Sequence, residues 1–415
     1  MVVNSACAIV GCYLVLRRMS MLGDAISHAV LAAIGIVLVT TGSLAPVPLF
    51  IGAVFIGFLV AFLTQRLHEV ANVPEDSGMG VVFTSLFAVG VVLVSQFDGH
   101  FDLDCVLFGN FEYIALTVSK QFGVFVPDAL PTQMLILAIT IILVVLFWKE
   151  LKIASFDPLL ATAMGFSAPL IHYALMAVVA GVTVASLQAV GAILVIAMLI
   201  VPAATAHLLT DRMSRMLMIA VLTGCTAAVF GYFLAARFDS NSAGMMAVVA
   251  GLQFVLAVFF APQYGLVSKL RNKAQLALRV VSEDVLAMLY RAEESAREVA
   301  ERSGATFHQC VRWGGGGVYG WLSVYLLRYR GHVAATANGR LQLTESGRST
   351  GRSLLRSHRL WESYISKHFE LDNDHLHDPA ERIEHYIGPE LQDQLERELQ
   401  TPDFDPQGKP IPRAE

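Results

Sequence analysis

The chain has 415 residues, of which 55% are hydrophobic and only 15% charged, with a mean hydropathy of +0.59. Soluble proteins carry about a quarter charged residues, so this composition excludes a wholly soluble globule and requires that much of the chain lie in lipid. The net charge of -5 decides nothing about partners.

Up to about residue 262 the chain consists of long apolar runs with short breaks, and after Lys269 it becomes dense in Glu, Arg, Asp and His, so one domain in lipid and one in water are expected. The opening run, Val2 to Leu16, is shorter than the roughly 20 residues that span a bilayer as helix. It is not a signal peptide, because no basic region precedes it and no small-residue cleavage site follows. Further runs lie near 21–40, 47–64, 79–96, 132–148, 170–186, 188–209, 213–236 and 244–261, giving about nine spans. Arg17, Arg18, Arg66, Lys149, Lys152, Arg212, Arg215, Lys269, Arg271 and Lys273 fall on alternate breaks, which sets those breaks and the tail in the cytoplasm. Five scattered cysteines, Cys7, Cys12, Cys105, Cys225 and Cys310, form no CxxC pair and indicate neither a disulfide framework nor a thiolate cluster.

The second run opens with Gly23-Asp24-Ala25-Ile26-Ser27-His28-Ala29-Val30. Asp24 and His28 are four apart, so a helix puts them on one face, one turn above the other, where a divalent cation fits between carboxylate and imidazole. Spacing alone leaves open a helix end that snorkels its polar groups. The break Phe97 to Thr132 carries Asp98, His100, Asp102 and Asp104, suited to drawing in a cation from outside or simply solvated. Asp157-Pro158 starts a short helix that Gly165 closes. Glu75 and Asp76 read as a cap and first-turn acids of the next span, and Pro202 is expected to kink its own.

Beyond Ser282, Val285, Leu286, Leu289 and Tyr290 recur at helical spacing, and Val299 to Gly304 reads like the first helix of a helix-turn-helix. Leu341 to Arg348 looks like the strand and turn of a wing, while His308 to Trp313 and the glycine run Gly314 to Gly317 interrupt the usual reading head. The helix expected over Tyr319 to Tyr329 is apolar and weakly basic, unlike a DNA reader. His358 and Glu362 are i,i+4, as are Glu381 and His385, with Glu384 at i+3 from Glu381; together with His377 they give stripes of metal-ligand types. No Gly-x-x-x-x-Gly-Lys-[Ser/Thr] occurs, so the chain holds no P-loop.

The string Leu16 to Val30, the segment Ser155 to Gly165, Glu75-Asp76, and Gln188 to Ala206 closely resemble the metal-type ABC transporter permeases, which import manganese, zinc or iron. That resemblance implies Asp24 and His28 on the transport path and a coupling helix carrying Asp157, Pro158, Leu159, Leu160 and Gly165. It also implies a separate ATPase subunit, an extracytoplasmic metal-binding protein and a homo- or heterodimer of permeases. Members of that family usually have more chain ahead of the Val2–Leu16 run, so a late start or a divergent first helix is expected.

The run from Arg356 through His385 to Pro412 resembles the diphtheria toxin repressor family of iron- and manganese-dependent regulators. This implies one site of Asp284, Glu381, Glu384 and His385 and another of His358, Glu362 and His377. Glu381 stands where iron-responsive members have Cys, and Asp284 where they have Met. Oxygen and nitrogen donors without sulfur favour manganese or ferrous iron over zinc. Because these ligands coordinate deprotonated, affinity is expected to fall as pH drops towards about 6.

The expected fold is an all-α polytopic membrane domain over residues 1–268, a degenerate winged-helix-like domain over 269–350, and a cytoplasmic metal-binding and dimerisation domain over 351–415. The expected function is the permease subunit of an ATP-driven metal importer in the cell membrane, with a fused metal sensor and no enzymatic site of its own. The alternatives are a membrane-tethered, DNA-binding metal regulator and an ATP-independent carrier.

Overall fold

The computed structural model describes all residues except 20, 43–45, 97–117, 122–123, 128, 300–303, 370–376, 401 and 414–415. Asp98, His100, Asp102 and Asp104, and the core of the expected first helix of the helix-turn-helix, lie outside the described residues. The chain divides into two compact units, Met1–Lys269 and Leu270–Glu415.

The first unit contains α1 (Val2–Leu16), α2 (Leu22–Thr41), α3 (Pro46–Ala71), α4 (Glu75–Ser95), a hairpin of β1 (Val118–Gln121) and β2 (Val124–Pro127), and α5 (Ala129–Leu146). After these come α6 (Trp148–Phe156), α7 (Pro158–Ala163), α8 (Ala168–Leu209), α9 (Met213–Phe238) and α10 (Ser242–Phe260). Eight spans among the described residues are long and apolar enough to cross a membrane, counting two in α8, and the shorter apolar α1 makes a ninth apolar helix. The bilayer explains why helices dominate, since each backbone amide there must be satisfied within its own segment.

Helix α1 packs on α8, and α2 packs on α4 and α3. Small residues make this closeness possible: a Cβ at Gly11 would strike the Leu199 carbonyl, and one at Gly90 the backbone of Leu31 and Ala32. The interruption of α8 falls at Gly191, with φ 79° and ψ 166°, and not at Pro202, which sits within helical backbone. Only glycine takes that conformation without strain, so Gly191 permits a break that other residues of this span would resist. Val190 and Leu194, flanking it, line a largely apolar cavity of about 480 Å³.

The second unit runs through α11 (Leu266–Val299, most of it in this unit), α12 (Phe307–Trp313), α13 (Gly317–Tyr329), an antiparallel hairpin of β3 (Val333–Ala335) and β4 (Leu341–Leu343), and α14 (Glu345–His368). It ends with α15 (His377–Ile383), a 3-10 turn (Glu384–Tyr386) and α16 (Pro389–Glu398). Thr306 and Gln309 form a reciprocal capping box at the start of α12. One core gathers Val285, Leu286 and Leu289 with Cys310, Val324 and Leu341, and a second gathers Leu360, Ile387, Leu395 and Ile411. Buried guanidiniums tie the elements together: Arg359 forks onto Glu294 at 2.7 and 3.2 Å and onto the Pro410 carbonyl, while Arg356 reaches Glu396 at 2.7 Å and the Pro412 carbonyl.

Candidate functional site

Three places carry chemistry. In the first unit, Asp24 and His28 share one face of α2, with His28 Nε2 3.4 Å from Asp24 Oδ1. Phe83 stacks on the imidazole at 5.7 Å between centroids and Phe87 meets it edge-on at 6.0 Å. The side chains stay partly open, 26% for Asp24 and 43% for His28. The helix brings a carboxylate oxygen and an imidazole nitrogen together from adjacent turns of one face, and the aromatic wall restricts the ring's rotamers.

The second place is α7. The Asp157 carboxylate accepts from the Leu160 amide at 2.9 Å and Pro158 occupies the first turn, so the helix starts where residue chemistry demands. Gly165 ends the segment at φ 89°. Leu159 is 84% and Leu160 50% exposed, a leucine pair presented to water on a capped, positioned turn. Beside it, Arg17 donates to Nδ1 of His172 at 2.9 Å and to the Ala154 carbonyl at 3.2 Å, joining α1, α6 and α8. In the sequence Arg17 marks a cytoplasmic break and belongs to the family-like string Leu16 to Val30, and nothing in its local sequence signals this bridging role.

The third lies in the second unit, where two triads of ligand types each bring their atoms within 4.8 Å: His358, Glu362 and His377, and Asp284, Glu384 and His385. In the first triad, His358 Nε2 lies 3.0 Å from both Glu362 Oε1 and His377 Nδ1, and His377 Nδ1 is 3.1 Å from Glu362 Oε1. His358 Nδ1 faces Glu384 Oε2 at 2.5 Å, so Glu384 of the second triad also closes the first. His358, Glu362 and Glu384 are buried, and burial alone makes such charges costly unless they pair or bind an ion. Burial pulls the His358 imidazole down, but the Glu362 and Glu384 carboxylates outweigh it and its pKa rises. Burial pushes Glu362 up, and the two histidines more than reverse that.

His385 is held from both sides, with Nδ1 2.9 Å from Glu283 Oε2 and Nε2 3.1 Å from Asp284 Oδ1. Burial depresses its pKa, yet hydrogen bonds to Asp284 and Glu283 carry it up to about 10. Glu283 was not foreseen. It sits next to Asp284 and one turn after Arg279, which it meets at 2.8 Å, and that adjacency is the one clue the sequence offers. Glu381 is exposed and stands outside both triads. The reason is local: α15 ends at Ile383 and the backbone tightens to a 3-10 turn over Glu384–Tyr386, so Glu381, Glu384 and His385 do not share one helical stripe.

Comparison with known proteins agrees with both halves. Residues 1–261 match the ABC 3 transport family, and residues 344–413 match the metal binding and dimerisation domain of iron dependent repressors. The manganese transport system membrane protein MntD of Bacillus subtilis is 44% identical over 270 residues, covering 64% of this chain and 91% of that protein. The zinc transport system membrane protein TroD of Treponema pallidum is 41% identical over 270 residues, covering 65% and 74%. Among solved structures, PsaBC from Streptococcus pneumoniae in complex with Fab superposes with a TM-score of 0.54 at 34% identity, over 63% of this chain and 89% of that one. The chain belongs to the ABC 3 transport family: a multi-pass membrane permease that carries, beyond its last span, a metal-binding domain of the iron-dependent repressor type.

Proposed function

We propose that this permease moves a divalent transition metal inward, driven by a separate ATPase, and that its second unit lies in the cytoplasm and binds the same class of ion as a sensor of supply. The observation that carries the transport reading is the Asp24–His28 pair on one face of a spanning helix, in a chain closely related to manganese and zinc permeases. The exposed Leu159 and Leu160 on capped α7 offer the apolar surface that an ATPase subunit would grip. An extracytoplasmic metal-binding protein delivers the ion, and two permeases, identical or not, form the pathway.

The second unit's donors fit an ion: oxygen and nitrogen only, converging, with three of the six residues buried and three half-buried. Asp284, Glu384 and His385 would hold one ion and His358, Glu362 and His377 another, with manganese or ferrous iron preferred over zinc on ligand hardness. Glu381, which the family pattern assigns to the first of these, is left as a surface group. A DNA-binding regulator is not favoured, because the outward face of α13 carries rings where a reader needs polar groups.

Uptake of radioactive manganese by cells expressing the permease with its ATPase tests the transport reading. Asp24→Ala and His28→Ala should each reduce accumulation at least tenfold, with membrane insertion unchanged. Wild-type uptake in both variants would overturn it.

A further inference from the structure

The second unit exposes a surface that neither transport nor metal binding uses. Helix α13 buries Gly320, Ser323, Val324 and Leu327 against the core, yet its other side is also apolar. Val318 is 78% exposed, Trp321 53%, Tyr325 57% and Tyr329 81%, with Tyr319 and Leu322 beside them. Trp321 and Tyr325 stack in parallel, with centroids 5.9 Å apart and planes 4° from coplanar. A helix apolar on both sides ordinarily sits inside a larger core or against lipid.

Charge selects the occupant. From Gly304 to Thr344 the sequence has no Asp or Glu and four arginines. Arg312 in the last turn of α12 and Arg328 and Arg330 at the end of α13 are exposed. Tryptophan and tyrosine with flanking arginines suit the headgroup layer of a bilayer, where each ring has an apolar body and a polar tip. The last span ends at Phe260 and the second unit starts at Leu270, so only a short stretch of chain separates this unit from the spans in sequence, which raises the effective concentration of a lipid surface for it.

We propose that the aromatic face of α13 docks on the anionic surface of the membrane, holding the second unit against the bilayer. The rings of Trp321, Tyr325 and Tyr329 enter the headgroup layer while Arg312, Arg328 and Arg330 pair with lipid phosphates. This rests on the chain's membrane spans and the cytoplasmic placement of the tail, and not on which ion is carried, so it can fail while the transport reading stands.

The test uses the full chain in nanodiscs of phosphatidylcholine and phosphatidylglycerol with brominated acyl chains. Trp321 emission is taken as wild type minus Trp321→Phe, which separates it from Trp148, Trp313 and Trp361. Bromolipid should quench that component by roughly half or more, and Arg328→Glu/Arg330→Glu, which leaves every ring in place, should cut the quenching about twofold or more. The same loss is expected in discs without phosphatidylglycerol. An unquenched Trp321 component overturns the proposal, as does quenching indifferent to both charge reversal and anionic lipid. Retention of duplex DNA by wild type but not by the charge-reversed variant, with Trp321 unquenched, would assign the face to nucleic acid instead.

Discussion

Asp24–His28 and the two triads of the second unit are built from the same residue types and differ in every physical respect that governs how long an ion stays. The pair on α2 offers two ligand atoms from one helix, partly open, with the rings of Phe83 and Phe87 against the imidazole. The triads draw ligands from α11, α14, α15 and the 3-10 turn, and their central members are buried. On the transport role proposed for it, the α2 pair must load and unload, for which few ligands and an open side suit it. A site that registers an ion gains by collecting ligands from separate elements, because binding then clamps those elements together. The contrast teaches that ligand type says where an ion goes, and the number of elements contributing says what its arrival changes.

The sharpest way to break this comparison is Glu384→Gln. Glu384 belongs to one triad and hydrogen-bonds the other, so its loss should abolish the manganese-induced rise in melting temperature of the full chain while manganese uptake, proposed to run past Asp24 and His28, persists. A full thermal shift in the variant would show that the triads are independent of that carboxylate.

Proton competition should separate the regions next. A folded pKa of about 10 means that His385 holds its proton at neutral pH between two carboxylates, which an ion must displace. Without metal, the stabilisation from this raised histidine is fully present below its unfolded pKa of about 6.5 and is lost as pH rises through about 10. Manganese affinity of the second unit should therefore climb about tenfold per pH unit between 7 and 9, above the region near 6 that an unperturbed histidine implies. The depressed pKa values of Glu283 and Glu362 act oppositely, giving stability that is present above their unfolded values and lost as pH falls through the folded ones. Calorimetry in buffers of different ionisation enthalpy would count the released protons, and zero release would refute the argument.

A smaller effect concerns the frame. Arg359→Met leaves Asp405 and the Pro410 carbonyl without a charged donor and should destabilise the second unit by about 3 kcal/mol in denaturant titrations, whether or not metal is present. The smallest expected change is the most discriminating: Glu381→Ala should shift manganese affinity less than about twofold, since an exposed carboxylate outside the cluster adds little. A tenfold loss would mean that the family pattern outranks the local geometry.

Much of this was legible beforehand because membranes impose strong rules. Hydropathy located the spans, since the bilayer tolerates few alternatives to apolar helix, and Asp157-Pro158 announced α7 through capping chemistry that acts over three residues. Of the strand and turn expected over Leu341 to Arg348, the strand forms as Leu341–Leu343 paired with Val333–Ala335, while the expected turn is instead the first turn of α14, capped by Thr344. Pro202, expected to kink its span, stays within helical backbone, and the discontinuity lies at Gly191, whose conformation only glycine takes without strain.

The sequence by itself determined the two-part architecture, the face shared by Asp24 and His28, and the stock of ligands in the tail, because each depends on composition or on spacings of one helical turn. The family resemblance already sorted the ligands into two sets, and only the tertiary structure decided that Glu283 joins one, that Glu384 reaches across to the other and that Glu381 stands outside both. Glu283 reaches His385 across 102 positions and Glu384 reaches His358 across 26, while Glu381 turns away because the helix tightens after Ile383. Such pairings depend on how separate elements pack and where each one stops, and no local spacing encodes either.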